Sequence, residues 1–376
     1  MKFLIIFSLV ILKFNSANSL ETIADQGVLY DYESKSTIFE KNINEPMSPS
    51  SMSKIMTIYY LFKKIDEGEI SLEDKFLVSK KAWKKGGSKM FVNVNSEVKV
   101  EDLIRGIIVQ SGNDACIVVA EAISGSEELF AKELNELGKE IGLKNSNFTN
   151  STGWPDPEHL MTVNDLLTLT IRTIEDFPDL YHYYAEKEFT FNDIKQINRN
   201  PLLFNNTGAD GLKTGHTSLG GYGIVATVKK NDRRLILVLN GIKSNRSRSK
   251  ESKRLINIGF KQFNNILVAN EGDELIDIPV WGGKKKSVKL YTKQKILITI
   301  PKRLKKKISY KIRYESPLFA PLTKDKSAGE LIIKNNNETL KSYKLYINQK
   351  VDKLNFFSKI LLNFKILLFG ESLIAK

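Results

Sequence analysis

Cysteine and histidine are scarce in this chain of 376 residues, and their scarcity excludes several kinds of site. Cys116 is the only cysteine, so no intramolecular disulfide can form. Its apolar neighbours favour a small buried side chain over a thiol nucleophile, which would need a basic partner. The three histidines, His159, His182 and His216, lie far apart and lack the spacing of metal ligands. We therefore expect no metal site and no cofactor.

Negative charge is also in deficit, because 57 lysines and arginines face 43 acidic residues and the formal net charge is +14. Such a chain suits nucleic acid, an anionic membrane surface or an acidic polymer. Met1-Lys2, the apolar run Phe3–Leu12 and the small residues Ala17–Ser19 form the pattern of a secretory signal over residues 1–19. A buried N-terminal helix is the alternative, and the short run followed by Lys13 argues against a permanent membrane span. Export indicates an anionic envelope and no nucleic-acid partner.

The length and the 41% hydrophobic content predict two globular units after the signal. The first, residues 20–262, alternates strand and helix patterns and predicts an α+β domain, with an antiparallel sheet covered by helices. Its strand patterns cover 27–32, 36–40, 221–228 and 233–240, and its helix patterns begin at Ser51 and cover 100–142, 161–174 and 252–263.

Residues 263–350 change in texture and predict a small all-β domain. Short strand patterns at 275–278, 295–300 and 329–333 are separated by the lysine clusters 284–286 and 305–307. We interpret these clusters as solvated turns or as charges that protect edge strands, rather than as a binding code. The sequence contains no internal repeat.

The last segment, residues 351–376, predicts an amphipathic helix that attaches to a membrane surface. Polar residues recur at three- and four-residue steps from Asp352 to Asn363, and leucine, isoleucine and phenylalanine fill the positions between them. A narrow polar face opposite a wide apolar one suits the membrane interface, while the polar interruptions argue against a span. A helix docked on its own domain is the alternative.

Candidate chemistry begins with Ser-x-x-Lys, which occurs three times: at Ser51 and Lys54, at Ser96 and Lys99, and at Ser247 and Lys250. Only Ser51 opens an apolar helical segment, where a three-residue step places the hydroxyl and the amine on one helical face. A helix N-terminus also favours developing negative charge. An amine can act as a base there if desolvation and a second cation lower its pKa.

Two further motifs supply the remaining groups for acyl transfer through a serine ester. Ser111-Gly112-Asn113 provides a second hydroxyl and an amide, although alone it would be an ordinary helix cap. Lys213-Thr214-Gly215 provides a second amine on a segment that would otherwise be a strand-edge turn. Its glycine allows a substrate backbone to approach the strand edge closely.

Together the three motifs resemble those of the serine penicillin-recognising enzymes, and their flanking residues resemble the D-alanyl-D-alanine carboxypeptidases, the low-molecular-mass penicillin-binding proteins of peptidase family S11. The similar stretches are Pro49–Thr57, Ser111–Ala115, Asp210–Thr217 and Arg248–Glu251. The resemblance implies a β-lactamase/transpeptidase-like fold, a β-rich second domain and a terminal anchor. It also implies export to the periplasmic face of the inner membrane, with peripheral attachment through the C-terminal helix.

The resemblance implies a catalytic role for each motif residue. Ser51 would attack the carbonyl between two D-alanines of a peptidoglycan stem peptide and form an acyl-enzyme, as it would with β-lactams. Lys54 would be its base. Ser111, together with Lys213, would relay a proton to the departing D-alanine, and water would then hydrolyse the ester.

The binding residues follow from the same resemblance. Asn113 would hold a substrate amide and also Lys54. Thr214 and Arg248 would bind the terminal carboxylate, for which a hydroxyl and a guanidinium are suited. The backbone N–H groups of Ser51 and His216, the latter following Gly215, would form the oxyanion hole, so the His216 ring is not the base.

Two alternatives stay open at this point. A class A β-lactamase would share the first and third motifs, but it needs a glutamate three residues before Leu134-Asn135, and Ala131 occupies that position. Gly112 and the additional β domain also argue against it. A non-catalytic module that binds the envelope is the second alternative, and the intact serines and lysines argue against it.

Overall fold

A computed structural model describes residues 20–204 and 206–369. The predicted signal, residues 1–19, lies outside the described residues. The described chain divides into two compact units. The first comprises the described residues up to Tyr30 and Phe39–Leu255, and the second comprises Asp31–Ile38 and the described residues from Ile256 onward.

The first unit is built on a five-stranded sheet in the order β2-β1-β9-β8-β7. The strands of this part of the chain are β1 Gln26–Asp31, β2 Ser36–Lys41, β3 Lys75–Leu77, β4 Glu97–Lys99, β5 Glu188–Phe191, β6 Ile194–Ile197, β7 Ala209–Thr217, β8 Gly221–Lys230 and β9 Arg233–Ile242. β7, β8 and β9 pair antiparallel, and the pairs β3–β4 and β5–β6 form separate ribbons. The central strands β8 and β9 are buried along continuous apolar runs, which is the pattern of strands covered on both faces.

Seven helices accompany these strands: α1 Lys54–Asp66, α2 Lys80–Lys84, α3 Val100–Ile108, α4 Asn113–Ser124, α5 Glu127–Glu140, α6 Val163–Asp176 and α7 Asn245–Gln262. A short 3-10 helix, Ser50–Ser53, leads directly into α1. The first eight residues of α4 and the first nine of α1 are all buried, so both helices belong to the core and bring their polar residues inside with them.

The predicted α+β architecture is confirmed, with two differences in its helices. The predicted helical stretch 100–142 is three helices, because the chain turns at Ser111 (φ +66°) and at the left-handed Gly125 (φ +78°). The predicted helix 252–263 begins seven residues earlier, at Asn245. Ser244 caps it by accepting from Ser247 N at 3.1 Å, and its polar first turns lack the apolar periodicity that would reveal them.

In the described residues, the second unit is all-β apart from the last residues of α7, one 3-10 turn and the C-terminal helix. Its elements are β10 Phe263–Ala269, β11 Glu274–Trp281, β12 Ser287–Tyr291, β13 Ile296–Pro301, β14 Ile308–Tyr314, β15 Leu318–Phe319, β16 Ser327–Asn335, β17 Glu338–Ile347 and α8 Phe356–Phe369. Six strands follow the order β14-β16-β17-β12-β11-β15, and β10 pairs with β13. Alternate side chains of these strands, among them Ile278, Leu290, Ile298, Ile333 and Leu345, form its own apolar core.

The C-terminal helix α8 begins at Phe356, and residues just before it are hydrogen-bonded to the β-rich unit. Val351 pairs with Leu322, and Leu354 N donates to Gly282 O at 2.9 Å. On α8 the large side chains of Phe357 and Leu367 are 81% and 83% exposed. No helix in the described ranges is long and apolar enough to cross a membrane.

Candidate active site

Ser51 and Lys54 meet at the junction between the 3-10 helix and α1. Lys54 Nζ donates to Ser51 Oγ at 3.0 Å and to Asn113 Oδ1 at 2.8 Å, and it also bonds to the backbone carbonyl of Thr152. The 3-10 winding places residues three apart above one another, so the hydroxyl and the amine meet without distortion. The amine thus contacts the first motif, the second motif and a turn that belongs to neither.

Burial favours the neutral amine of Lys54 more than in an ordinary, solvent-exposed lysine. Its side chain is fully buried, and desolvation, helped by the cations of Arg199 and Lys85, lowers the pKa of Lys54 to about 8. The neutral amine is therefore accessible close to neutral pH. It lies within hydrogen-bond reach of the hydroxyl that it would deprotonate.

The second hydroxyl and the second amine are also buried. Ser111 is 1% exposed, and its Oγ has no hydrogen-bond partner among the described residues. Lys213 Nζ donates to Thr214 O at 3.1 Å. Burial, followed by repulsion from Lys54 and Arg199, holds the pKa of Lys213 well below its usual value. A buried hydroxyl with no hydrogen-bond partner in the described structure and an amine with a lowered pKa can relay a proton.

Strand β7, which carries the third motif, is an edge strand whose only strand neighbour in the described sheet is β8. Its outer backbone edge can therefore pair with an extended ligand. Gly215 has a further reason to be glycine. A Cβ there would lie 2.9 Å from Pro49 O and 3.1 Å from Met52 Cγ, so a side chain would push the Ser51 helix away from β7.

His216 and Arg248 flank the end of β7 around Tyr222. The His216 ring is exposed and stacks on Tyr222 with centroids 3.8 Å apart. The Arg248 guanidinium lies 5.8 Å from the Tyr222 ring centroid and donates to Asn245 Oδ1 at 2.7 Å. Burial lowers the pKa of Arg248 to about 10, and its Nε has no partner in the described part of the chain. A buried guanidinium with a spare donor is suited to an incoming anion.

A turn that the motifs did not reveal holds the third partner of Lys54. Ser151 donates to Glu127 Oε1 from its N–H at 3.2 Å and from its hydroxyl at 2.8 Å, while its carbonyl accepts from Thr57 at 2.6 Å. Gly153 has φ +70°, and a Cβ there would lie 2.0 Å from Ser50 O. These contacts fix the Thr152 carbonyl over Lys54. Turn-forming residues were the only sequence signal at this position.

Asp114 is a second residue that motif reasoning missed. Its buried carboxylate accepts the backbone N–H groups of Met90 (2.8 Å), Phe91 (2.9 Å), Val92 (3.3 Å) and Ala115 (3.0 Å). It fastens the segment before α3 to the start of α4, next to Asn113. Arg199, whose charge acts on both buried lysines, is the third such residue, and an isolated arginine carries no sequence signal.

The other two Ser-x-x-Lys copies have ordinary contacts. Ser96 donates to Asn93 O at 2.7 Å, and the exposed Lys99 pairs with Glu73 at 2.6 Å. Ser247 lies in the first turn of α7 and bonds to Ser244. Burial against two further motifs therefore separates the Ser51 copy from the other two.

Two protein families match this chain, and together they cover most of it. Residues 13–244 match the family described as D-alanyl-D-alanine carboxypeptidase, and residues 263–353 match the C-terminal domain of penicillin-binding protein 5. The D-alanyl-D-alanine carboxypeptidase DacA of Haemophilus influenzae is 38% identical over 341 residues, which cover 89% of this chain and 86% of that protein.

Solved structures give the same result. The structure of penicillin-binding protein 5 from Haemophilus influenzae has a TM-score of 0.81 and 36% identity, and covers 90% of this chain and 100% of that one. The ampicillin-bound form of penicillin-binding protein D2 from Listeria monocytogenes has a TM-score of 0.58 and 25% identity, and covers 63% of this chain and 98% of that one.

Proposed function

The chain belongs to the D-alanyl-D-alanine carboxypeptidase family, peptidase family S11, and from that membership we propose a reaction centred on Ser51. The protein is a serine-type carboxypeptidase that acts on peptidoglycan peptides and binds β-lactams. Its reaction removes the terminal D-alanine of a stem pentapeptide through an ester on Ser51. The observation that carries this assignment is the 3.0 Å hydrogen bond between Ser51 Oγ and the buried amine of Lys54.

Acylation begins when neutral Lys54 takes the proton of Ser51 as Oγ attacks the carbonyl carbon between the two D-alanines. The negative charge that develops on the carbonyl oxygen is stabilised by the backbone N–H groups of Ser51 and His216. The C–N bond then breaks, and the departing D-alanine nitrogen must gain a proton. Ser111 and Lys213 relay to it the proton that Lys54 took from Ser51, so Lys54 is neutral again once the ester has formed. Both relay groups are buried, and neither is paired with a carboxylate in the described structure.

Substrate binding uses the edge of β7 and the cations beside it. Asn113 holds the substrate amide, and its own carbonyl oxygen already accepts from Lys54. Thr214 and Arg248 bind the terminal carboxylate, with Arg199 as an additional cation close to the same two lysines. Water then attacks the ester, with Lys54 again as the base, and releases the shortened peptide.

The comparisons do not support a class A β-lactamase or a binding module. Ala131 lies buried on α5, and Asn135 of the same helix donates to Phe148 O at 2.7 Å, which is a structural contact. A β-lactam on Ser51 is therefore expected to persist as a slowly hydrolysed ester.

The test is release of free D-alanine from diacetyl-L-Lys-D-Ala-D-Ala by the purified protein, together with labelling by a fluorescent penicillin. Ser51→Ala should abolish both while the variant stays folded. Ser96→Ala, the same change in an exposed copy of the motif, is the matched control and should keep both. Activity that survives Ser51→Ala would refute the assignment.

We also propose export, with attachment of α8 to a membrane surface, and domain limits of 20–262, 263–350 and 351–376. Residues 256–376 contain 24 lysines and arginines against 10 acidic residues, whereas residues 1–255 contain 33 of each. The whole positive excess thus belongs to the part of the chain that ends in the exposed apolar helix. Apolar area combined with nearby basic charge is what binds a helix to an anionic interface.

A further inference from the structure

The β-rich unit contains an apolar cavity of about 470 Å³, a volume typical of sites for small ligands. Its walls come from residues 35–37 of the hairpin tip, from β13, β16 and β17, and from a 3-10 helix, Lys302–Lys307, all of which belong to the second unit. The apolar part of the lining is Ile298, Ile300, Pro301, Leu304, Ile333 and Leu340. The reaction proposed above uses none of these residues.

The apolar lining is buried at its base and accessible at its mouth. Ile298, Ile300 and Ile333 are almost fully buried, whereas Leu340 is 40% exposed. Leu304 is the one apolar residue of the 3-10 helix, and it lines the cavity. Hydrocarbon that enters this space loses contact with water, which favours an apolar ligand.

The charged groups of the cavity are cations. Lys35 and Lys341 line it, together with no acidic residue of the described chain. Lys341 Nζ donates to Ser36 Oγ at 3.0 Å, and neither lysine has a carboxylate within ion-pair distance in the ranges 20–204 and 206–369. Burial lowers the pKa of Lys341, and no carboxylate opposes that shift. An ammonium group has three donors, so Lys341 keeps donors for an anionic ligand.

The 3-10 helix surrounds the mouth of the cavity with further positive charge. Every residue of this helix except Leu304 is basic and exposed: Lys302, Arg303, Lys305, Lys306 and Lys307. A cluster of one sign raises the local concentration of oppositely charged ligands. Apolar walls, a half-buried amine and basic surroundings together fit an amphiphile whose charge is negative.

We propose that this cavity binds a free long-chain carboxylate, a fatty acid, with its carboxylate on Lys341 and its hydrocarbon chain against Leu304 and Leu340. A methylene group is similar in size to a water molecule, whose share of liquid volume is about 30 Å³, so the cavity takes one chain of roughly ten to fifteen carbons. The two chains of a membrane lipid exceed that volume. The lining includes no described residue of α8 or of the three motifs, so the site is distinct from both.

The test measures binding of dansylaminoundecanoic acid, a fluorescent fatty acid, to the full-length protein, and its displacement by decanoate or by the neutral alcohol decanol. Lys341→Gln should weaken decanoate binding about fivefold, the effect of one partly exposed ion pair, and leave decanol binding unchanged. From octanoate to decanoate the affinity should rise by up to about fourfold for each added methylene group.

Lys344→Gln is the matched control for charge, because Lys344 is an exposed lysine of the same strand that does not line the cavity. It should keep the affinity for decanoate. Equal losses in Lys344→Gln and Lys341→Gln would overturn the site in favour of a general field. Equal weakening of decanoate and decanol by Lys341→Gln would overturn the assignment of the carboxylate to Lys341.

Leu340→Ser tests the apolar wall and should weaken both decanoate and decanol. Its control is Leu267→Ser, since Leu267 is a 49% exposed leucine of β10 outside the cavity, and this variant should weaken neither. Decanoate binding that survives both Lys341→Gln and Leu340→Ser would place the chain elsewhere, for example on α8, and overturn the site. Absence of decanoate binding would overturn it as well. Neither result would affect the proposed function.

Discussion

The lowered pKa of Lys54 predicts how the rate of acylation depends on pH. Lys54 can accept the Ser51 proton only as the neutral amine, and its pKa is about 8. The neutral fraction is then about one tenth at pH 7 and about nine tenths at pH 9. The second-order rate constant for acylation by benzylpenicillin should therefore rise about tenfold over that interval and then level off. Stopped-flow measurement with the purified protein gives this profile directly.

Removing a neighbouring cation should move the midpoint of that profile. Arg199 lowers the pKa of Lys54, so Arg199→Gln should shift the midpoint to higher pH whatever it does to the plateau rate. Lys132→Gln is the control, since Lys132 is 74% exposed on α5 and pairs with Glu136 at 4.0 Å. A flat profile between pH 7 and 9, or equal midpoints in the two variants, would contradict the role of Lys54 as the base.

The same group predicts a change in stability, and the sign follows from linkage. The folded-state pKa of about 8 lies below the unfolded value, so the unfolded chain binds more protons between them and stability rises with pH. Burial of charged Lys54 costs about 3 kcal/mol at pH 7 and about 1 kcal/mol at pH 9.5. Relative to Lys54→Gln, the unmodified protein should gain about 2 kcal/mol of unfolding free energy over that range. If the unfolding free energies of the two proteins change equally between pH 7 and pH 9.5, the burial argument is refuted.

Three other predictions concern the scaffold and the anchor. Gly153→Ala should lower the free energy of unfolding by at least about 2 kcal/mol in a urea titration and slow acylation, because its Cβ would overlap Ser50 O. The control, Gly125→Ala, also has positive φ but open space around it, and should lower the free energy of unfolding by about 1 kcal/mol. Asp114→Asn should cost about 2 kcal/mol or more and reduce penicillin labelling, because an amide oxygen cannot replace a carboxylate that accepts four backbone N–H groups. A variant truncated after Asn355 should no longer sediment with membranes but should keep its activity on soluble peptide. An unchanged membrane-bound fraction would contradict the role of α8.

Local physics explains why so much of the fold was predictable. The continuous apolar runs of β8 and β9 and the apolar run 115–120 of α4 depend only on neighbouring residues, so they can be recognised in the sequence. The start of α7 was missed because its first turns are polar and its signal is a single cap, Ser244. The all-β nature of the second unit followed from short strands separated by turn residues.

The sequence by itself determined the residue types, the order of the three motifs and the one-turn step that brings Ser51 to Lys54. Only the tertiary structure decided that this copy of Ser-x-x-Lys, and neither of the others, is buried with two more motifs. Lys54 meets Asn113 across 59 residues and Thr152 across 98. Its lowered pKa arises from burial and from cations that are distant along the chain. Desolvation and charge act through space, so a sequence pattern can supply the amine, but only the folded chain can make it a base.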